Sequence, residues 1–515
     1  MIICFVFALL MLLQIDANAA RLEVTTTSDD VNGDVSSPSA LQANPGPDGI
    51  SLREALQAMD QEPGPHWITF SSATENRPIL PKSPLPAVAR NDMHIIGSVS
   101  PTGAPETIID SRLITQCCGV PAISVAASGF SVSWMKFVQV QPSNRAVRIY
   151  AGAISGEAPA PQVISKVRIE NCVFDNKRIA TTSYAITLGM DHAAVNAIVS
   201  NVLIAKNQFL HFQGDGTTVH LQAGGEHGTI KNVTIQDNFF SKCTFSIELV
   251  NVLGSRNRIM GTKIWGNTFI AGLDSAVNLG NEGRAGHPPA TGNSTSGTSI
   301  IGNRITSQSH WAILFNGGHS DDGGIARSNS ILRTNISNNI IESSPQDSGG
   351  ILLLGGDTGG ESNRVRDVSI YNNTMVRIKN IAIVTASNPG GLANKVEGVR
   401  IANTIFWQNY GDLYTDLAPG SVAVSNSITS QAGFTGKNGN FASDPKFVAL
   451  SARNYHLRSD SPAINRGATN GSPAIDFDCT VRTVPPDIGA YEFQNTSVTQ
   501  LRIDFQGAGR GTVQV

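Results

Sequence analysis

Apolar and polar residues alternate through most of this chain, and one recurring unit organises the alternation. It reads Val202-x-Ile204-x-x-Asn207-x-Phe209, then Val233-x-Ile235-x-x-Asn238-x-Phe240 and Thr262-x-Ile264-x-x-Asn267-x-Phe269. Further copies are Thr298-x-Ile300-x-x-Asn303-x-Ile305, Thr334-x-Ile336-x-x-Asn339-x-Ile341 and Val368-x-Ile370-x-x-Asn373-x-Met375. Val167-x-Ile169-x-Asn171 and Val399-x-Ile401-x-Asn403 are variants with a shifted Asn, and degenerate copies fall at Met93–Val99, Phe130–Phe137 and Val422–Ile428. A second period-two run follows each unit, as in Ser246-Ile247-Glu248-Leu249 after the Val233 copy. Neither run can bury its apolar side alone, so the units must stack. Short strands without a helical pattern between them, repeating every ~23–37 residues, predict an all-β parallel β-helix. Leucine-rich repeats would need a Leu consensus, and propeller blades would need four strands and more aromatics. The Asn after the first strand suits a left-handed or side-chain-bonded bend, and Asn residues on successive coils can bond to one another. With ~4.8 Å between paired strands, about eleven coils make a rod of order 50 Å.

The ends of the chain break this pattern. Ser51 and Glu54 have capping-box spacing, and Leu52, Leu56 and Met59 share one helical face. A short helix there would close the open end of the solenoid ahead of a first strand at Ile68–Phe70. Residues 21–49 are polar and read as a loose lead-in. The apolar run Ile2–Ile15 is too short to span a bilayer and ends in Ala17-Asn18-Ala19, a small-x-small cleavage pattern. It reads as a secretory signal peptide, although its first residues carry no Lys or Arg. No later segment is apolar enough to cross a membrane. The expected divisions are 1–19 signal, 20–92 lead-in and cap, 93–440 coils, 441–495 C-terminal cap, and 496–515 the start of a further β module or a tail.

Composition changes this picture little. Charged residues make up 15% and the formal net charge is −3, so no basic surface argues for nucleic acid or an anionic membrane. Fifty Gly and 6% aromatics suit short strands and tight turns. Once Cys4 leaves with the signal, Cys117, Cys118, Cys172, Cys243 and Cys479 remain. That odd count without zinc-ligand spacing reads as isolated thiols.

Two stretches carry a family resemblance: Leu52-Arg53-Glu54-Ala55-Leu56 with Ile68-x-Phe70 near the start, and a long run near the end. That run comprises Asp444-Pro445-x-Phe447, Asn454-Tyr455-His456-Leu457, Ser461-Pro462-Ala463-Ile464-Asn465-x-Gly467, Asp476-x-Asp478 and Arg482, and Pro486-Asp487-Ile488-Gly489-Ala490-Tyr491-Glu492-Phe493. With the coils between them, they resemble the secreted pectate-lyase-like right-handed parallel β-helix proteins, more narrowly the bacterial group with a choice-of-anchor Q C-terminal region. Cys479 stands where that pattern usually has Gly. The resemblance implies a right-handed β-helix and a secreted or cell-surface location, and no single reaction. Asp478, Arg482, Asp487 and Glu492 read as charges tying irregular turns over the last coil rather than as a catalytic cluster.

Candidate chemistry comes from the second run of each coil. Its aliphatic second and fourth positions face the core, so the third points outward. That places Thr187, His220, Glu248, Asn278, Leu314 and Leu352 in one row, with Gln222 and Asn316 extending a polar floor. His220 beside Glu248 would be an acid–base pair. The competing reading is a solvated sheet face with a cross-strand contact. The longest insertions all follow this strand and would stack as one wall of a groove, carrying His192, Glu226, His227, Arg256, Arg258, Glu282, Arg284, His287, His319, Asp321, Asp322, Arg327, Asp357, Glu361, Arg364 and Lys395. Cations mixed with carboxylates suit an extended acidic sugar chain.

The leading expectation is therefore a monomeric protein that binds an acidic extracellular polysaccharide, with β-elimination the expected reaction if it is an enzyme. His220, Glu248, Arg284, Arg327 and Arg364 are the catalytic candidates, and Asn278, Asn316, His319 and Lys395 the substrate contacts. Glu282, Asp321, Asp322 and Asp357 could hold calcium through oxygen ligands. A non-catalytic adhesin or stalk is the first alternative. A glycoside hydrolase using Asp321 and Asp357 as a carboxylate pair is the second.

Overall fold

The structure is a computed structural model that describes residues 19–494, apart from 117–118, 154–159, 178–182, 215, 307, 321, 343–347 and 388. The expected signal peptide through residue 18, Cys117, Cys118, Asp321 and the 496–515 segment lie outside the described residues.

The chain winds through three parallel sheets to form the right-handed β-helix. One coil runs from a strand such as Ile198–Ala205 in the first sheet to Gln208–Leu210 in the second and Thr217–Glu226 in the third. The next coil repeats this at Thr229–Gln236, Phe239–Ser241 and Phe245–Ser255. Equivalent repeat positions pair directly: Val202 with Val233, Phe209 with Phe240, and Ile247 with Val277. The second sheet has eleven strands among the described residues, matching the coil count expected from the repeats.

Stacking fixes what lies inside. Phe137, Phe174, Phe209, Phe240 and Phe269 form a file of near-parallel rings with centroids 4.9, 5.0, 4.7 and 4.8 Å apart. That spacing is the inter-strand distance itself, so one aromatic per coil packs without adjustment. The repeat Asn forms a second file. In each copy the residue before it takes the left-handed conformation (Lys206, Asp237, Gly266, Gly302, Asn338, Asn372), and the Asn turns inward. Asn207, Asn238, Asn267, Asn303 and Asn339 each donate Nδ2 to Oδ1 of the next Asn at 3.0–3.1 Å. Each also donates to a carbonyl of the preceding coil, as Asn303 does to Ile264 at 2.9 Å. In the two variant units Asn171 and Asn403 make the left-handed corner, and Cys172 and Thr404 stand in the buried file. Burial pushes the Cys172 thiol up to about 12 and the Cys243 thiol up to about 11, so both are inert core side chains.

The lead-in is more ordered than its composition suggested. Ala20–Val24 pairs with His66–Phe70 as the first strand of the first sheet, burying Leu22 and Val24. Helix α1 (Pro38–Ala43) and helix α2 (Leu52–Met59) follow, and α2 has the expected capping box. Glu54 also accepts from the backbone of Asn32 and Gly33 at 2.7 Å, which ties the lead-in over α2.

Much of what read as insertion is strand. The third-sheet strands run on through Glu226, Ser255 and His319, and the first-sheet strands begin early, at Ser330, Arg364 and Lys395. A second buried Asn file makes this corner possible. The backbone N–H groups of Asn257, Asn293, Asn329 and Asn363 donate to the side chains of Asn293, Asn329, Asn363 and Asn394 at 2.8–2.9 Å. At the far end Phe434 packs on the main core. The region from Phe447 to Tyr491 then turns back along the second sheet, where Phe447, Tyr455, Ala463, Ile488 and Tyr491 bury Ile340, Val376, Ile405 and Ile428 in a separate apolar cluster. Among the described residues no helix is long and apolar enough to cross a membrane.

Candidate functional site

On the third sheet the outward row reads Arg148, Thr187, His220, Glu248, Asn278, Leu314, Leu352, Val384, Tyr414, each paired in register with the next. The row expected from Thr187 to Leu352 is therefore in place. Its chemistry changes abruptly at Leu314, and the polar part gathers side chains from both flanks.

His220 and Glu248 face each other at 3.5 Å between Nε2 and Oε2, too long for a strong hydrogen bond. His220 is 7% exposed, and neither ring nitrogen has a hydrogen-bond partner. Burial, together with the guanidinium charges of Arg145 and Arg284, holds its pKa down to about 3. The ring is therefore neutral near pH 7, and the contact is not an ion pair. Glu248 accepts from Thr217 Oγ1 at 2.7 Å and from Asn278 Nδ2 at 2.9 Å. Its pKa is nevertheless raised, first by burial and then by the Glu282 carboxylate.

Three residues here were not singled out from sequence. Tyr184 stacks on the His220 ring, with centroids 5.5 Å apart. Arg145 lies over Tyr184 at 4.9 Å and donates Nε to Thr187 Oγ1 at 3.1 Å, with no carboxylate partner among the described residues. Thr217 clamps Glu248. A signal was present: Val147 and Ile149 are the aliphatic second and fourth positions of a further copy of the same run, with Arg148 third.

The other candidates divide. Glu282 pairs in register with His319, whose Nδ1 is buried without a partner. Between them Gly280 leaves an open floor, where a Cβ would meet only His319 Cε1 at 3.9 Å and Val250 Cγ2 at 4.0 Å. Arg284 holds Glu282 at 2.8 Å. Burial works against its charge, but the Glu282 carboxylate keeps its pKa above the usual range, so it is a fixed cation and not a base. The edge beside this patch is bordered by two loops, 190–197 and 283–289, whose His192 and His287 rings meet at 6.1 Å.

Arg327, Arg364 and Lys395 do not join this cluster. Arg327 binds Glu361 at 2.7 Å on a short strand beyond the loops. Arg364 and Lys395 belong to first-sheet strands, around the corner made by Asn363 and Asn394, and face Glu397 at 3.6 and 4.0 Å. Reading strand as loop is what misplaced them. Asn316 donates to Asp357 at 2.9 Å, and Asp322 braces its own loop by accepting from Ser320 Oγ at 2.9 Å and ties it to loop 283–289 by accepting from Ala285 N at 2.8 Å. Among the described residues no three His, Cys, Asp or Glu side chains converge as a cation site. Glu282, Asp322 and Asp357 instead bond to Arg284, to Ala285 and Ser320, and to Asn316, respectively.

No protein-family model and no curated protein matches the chain. Among solved structures it is similar to pectate lyase Pel9A, with a TM-score of 0.39 and 13% identity over 93% of this chain and 98% of that one. The A-module of the Azotobacter vinelandii mannuronan C-5 epimerase AlgE6 gives 0.38 and 10% over 76% and 95%. The tailspike protein of E. coli bacteriophage HK620, solved with a pentasaccharide, gives 0.39 and 12% over 73% and 64%. These likenesses are distant, and the fold rests on the strand register itself.

Proposed function

We propose that this chain is an extracellular carbohydrate-active β-helix protein. In this reading it receives an acidic, uronate-containing polysaccharide on the polar part of the third sheet. One observation carries the reading. Arg145, a guanidinium without a carboxylate partner among the described residues, lies over Tyr184, and Tyr184 in turn stacks on a neutral His220 whose buried ring nitrogens have no partner among those residues. Buried polar atoms without partners are costly in a finished fold and are supplied with partners by ligands at functional sites. A uronate carboxylate would pair with Arg145 and bring hydroxyls to His220 and Glu248. Secretion, a monomeric state and membership of the choice-of-anchor Q group belong to the same proposal and rest on the terminal sequence patterns.

β-Elimination follows from this placement. A carboxylate docked on Arg145 cancels one of the two guanidinium charges that depress His220, which raises its proton affinity as substrate arrives. The imidazole then takes the proton next to the carboxylate, while Arg145 stabilises the developing anion. The glycosidic C–O bond on the adjacent carbon breaks as the double bond forms, and the leaving oxygen takes a proton from the imidazolium or from solvent. A hydrolase has less to draw on, since Asp357 is tied to Asn316.

The test is incubation with a panel of uronate polysaccharides, with and without Ca²⁺, read by the ultraviolet absorbance of unsaturated products and by calorimetric binding. Product that His220→Gln abolishes, while binding is retained, is the expected result. No binding to any panel member would overturn the whole reading. Binding without product favours the adhesin alternative, which the low proton affinity of unliganded His220 supports.

A further inference from the structure

The outward face of the second sheet holds a cavity that has no part in the third-sheet patch. Two outward rows meet there: Pro78, Ile108, Lys136 and Val173 pair in register, and so do Asp110, Val138 and Asp175. The left-handed turn at Gln139 ends the strand Met135–Val138, and the Gln139 side chain reaches back to Asp110. Over Val138 an open cavity of ≈ 300 Å³ remains, with Pro78 and Ile108 also in its lining. That is the small end of the range for ligand sites, room for one sugar ring rather than a chain.

The charges around it are unevenly satisfied. Asp110, 2% exposed, accepts from Arg112 Nε at 2.9 Å, from Arg112 Nη2, and from Gln139 Nε2 at 2.8 Å. Asp175 is bonded to His211 Nδ1 at 2.9 Å and to the Lys177 backbone N–H at 3.2 Å. Arg77 and Glu106, where the strands Pro78–Ile79 and Thr107–Asp110 begin, have opposite signs and bond to the Ala73 carbonyl and to Asn76. Lys136 and Lys177 line the same cavity, and neither ammonium has an ion-pair partner among the described residues. Lys136 is half-buried between Ile108 and Val173, so its charge is only partly hydrated and has the more to gain from an anion.

We propose that this cavity binds a sulfated sugar, one pyranose ring with its sulfate ester between Lys136 and Lys177. Three cations line the cavity against two carboxylates that are already bonded, which leaves a positive charge in excess. A sulfate ester is a monoanion and matches that excess. A phosphate ester carries about −1.5 to −2, and its surplus would face Asp175. A carboxylate is read best by a planar guanidinium fork, and the Arg112 fork is taken by Asp110. The donors left over are ammonium groups, point charges that suit a tetrahedral oxyanion. Pro78, Ile108 and Val138 then receive the C–H face of the ring. The site lies on a different sheet from Arg145, so it stands or falls independently of the uronate reading.

The experiment is calorimetric titration of the full chain at low salt with monosulfated galactose, the corresponding phosphate, galacturonate, galactose and inorganic sulfate. The sulfated sugar is expected to bind about fivefold or more tighter than each of the others. Lys136→Met keeps the stem between Ile108 and Val173 but removes the charge, and Val138→Phe fills the cavity without touching a charge. Each should weaken the sulfated sugar about tenfold, with a urea midpoint near the parent's to show that the fold is kept. No binding, a preference for the phosphate or the uronate, or inorganic sulfate binding as tightly as the ester overturns the proposal. So does an affinity that survives both variants, or one that falls with Arg145→Gln instead, which would put the ligand on the third sheet.

Discussion

At the scale of single residues, His220 concentrates the chemistry. A histidine expected to form an acid–base pair with Glu248 is instead a buried neutral ring held between aromatic and guanidinium neighbours. The sign of its linkage follows. Its pKa is near 3 in the folded protein and about 6.5 unfolded. The unfolded chain therefore binds the proton first as pH falls. Titration of His220 takes nothing from stability above about pH 6.5, and progressively destabilises the fold between pH 6.5 and 3, by up to ~5 kcal/mol. Glu248, shifted the opposite way, partly offsets this. Comparing urea midpoints of the parent and His220→Gln at pH 7 and pH 4 isolates the effect: the parent should lose more stability than the variant on acidification. Equal losses would show that the ring is not held neutral. NMR titration of the imidazole gives a second check. Arg145→Gln removes one of the depressing charges and should raise the His220 pKa, and a saturating uronate oligomer should raise it in the parent. The outward placement of His220, Glu248 and Asn278 was legible from alternation alone. The neutral state of the ring was not, because it depends first on burial by neighbouring coils and then on Arg145 and Arg284, which lie on either side in space but far off in sequence.

At the scale of elements, the two buried Asn files decide where strands end and corners begin. The first was legible because each Asn sits at a fixed distance from an Ile and a Phe. The second was not: Asn257, Asn293, Asn329, Asn363 and Asn394 lie in polar, Gly-containing stretches that read as loops. Only stacking shows them bonded coil to coil. That single omission moved Arg364 and Lys395 from an imagined groove wall to the first sheet. The files also make a quantitative expectation. Asn303 donates to Ile264 O and Asn339 Oδ1, and its own Oδ1 accepts from Asn267 N and Nδ2. Asn303→Ala strands several of these buried groups at once, and should cost about 2–4 kcal/mol in denaturant unfolding. Asn303→Asp keeps the acceptor but brings a charge into a dry file, and should be no better tolerated. Lys263→Ala, on an exposed strand position nearby, serves as the control at about 1 kcal/mol or less. Similar losses for Asn303→Ala and Lys263→Ala would show that the file is not a source of stability.

At the scale of the whole molecule, a solenoid is held together by neighbours, so its ends are its weak points. Here the C-terminal region does more than cover the last coil: it reaches back along the second sheet and fastens several coils together. The fastening is polar as well as apolar. Buried Arg482 donates to Glu492 at 3.1 Å, to Asn338 Oδ1 at 2.9 Å, and to the carbonyls of Gly489 and Ala490 at 2.9 and 3.1 Å. Asn338 is itself the left-handed corner of a coil, so one guanidinium joins the returning segment to the helix wall. The sequence motif around Asp476–Phe493 made a structural role for these charges legible. It could not reveal the contact with Asn338, which is 144 residues from Arg482. Removing one partner of a buried charged pair costs more than removing both. Arg482→Ala should therefore destabilise this region by about 3–5 kcal/mol, while Arg482→Met combined with Glu492→Leu should cost less. Hydrogen exchange resolves where the loss falls. Protection should drop in Ile340–Glu342 and Thr374–Val376, whose outer side the returning segment covers, while Gln208–Leu210 stays at the parent level. An even rise in exchange along the whole rod would mean that the coils unfold as one unit. In that case Arg482 would act on global stability rather than as a local clasp.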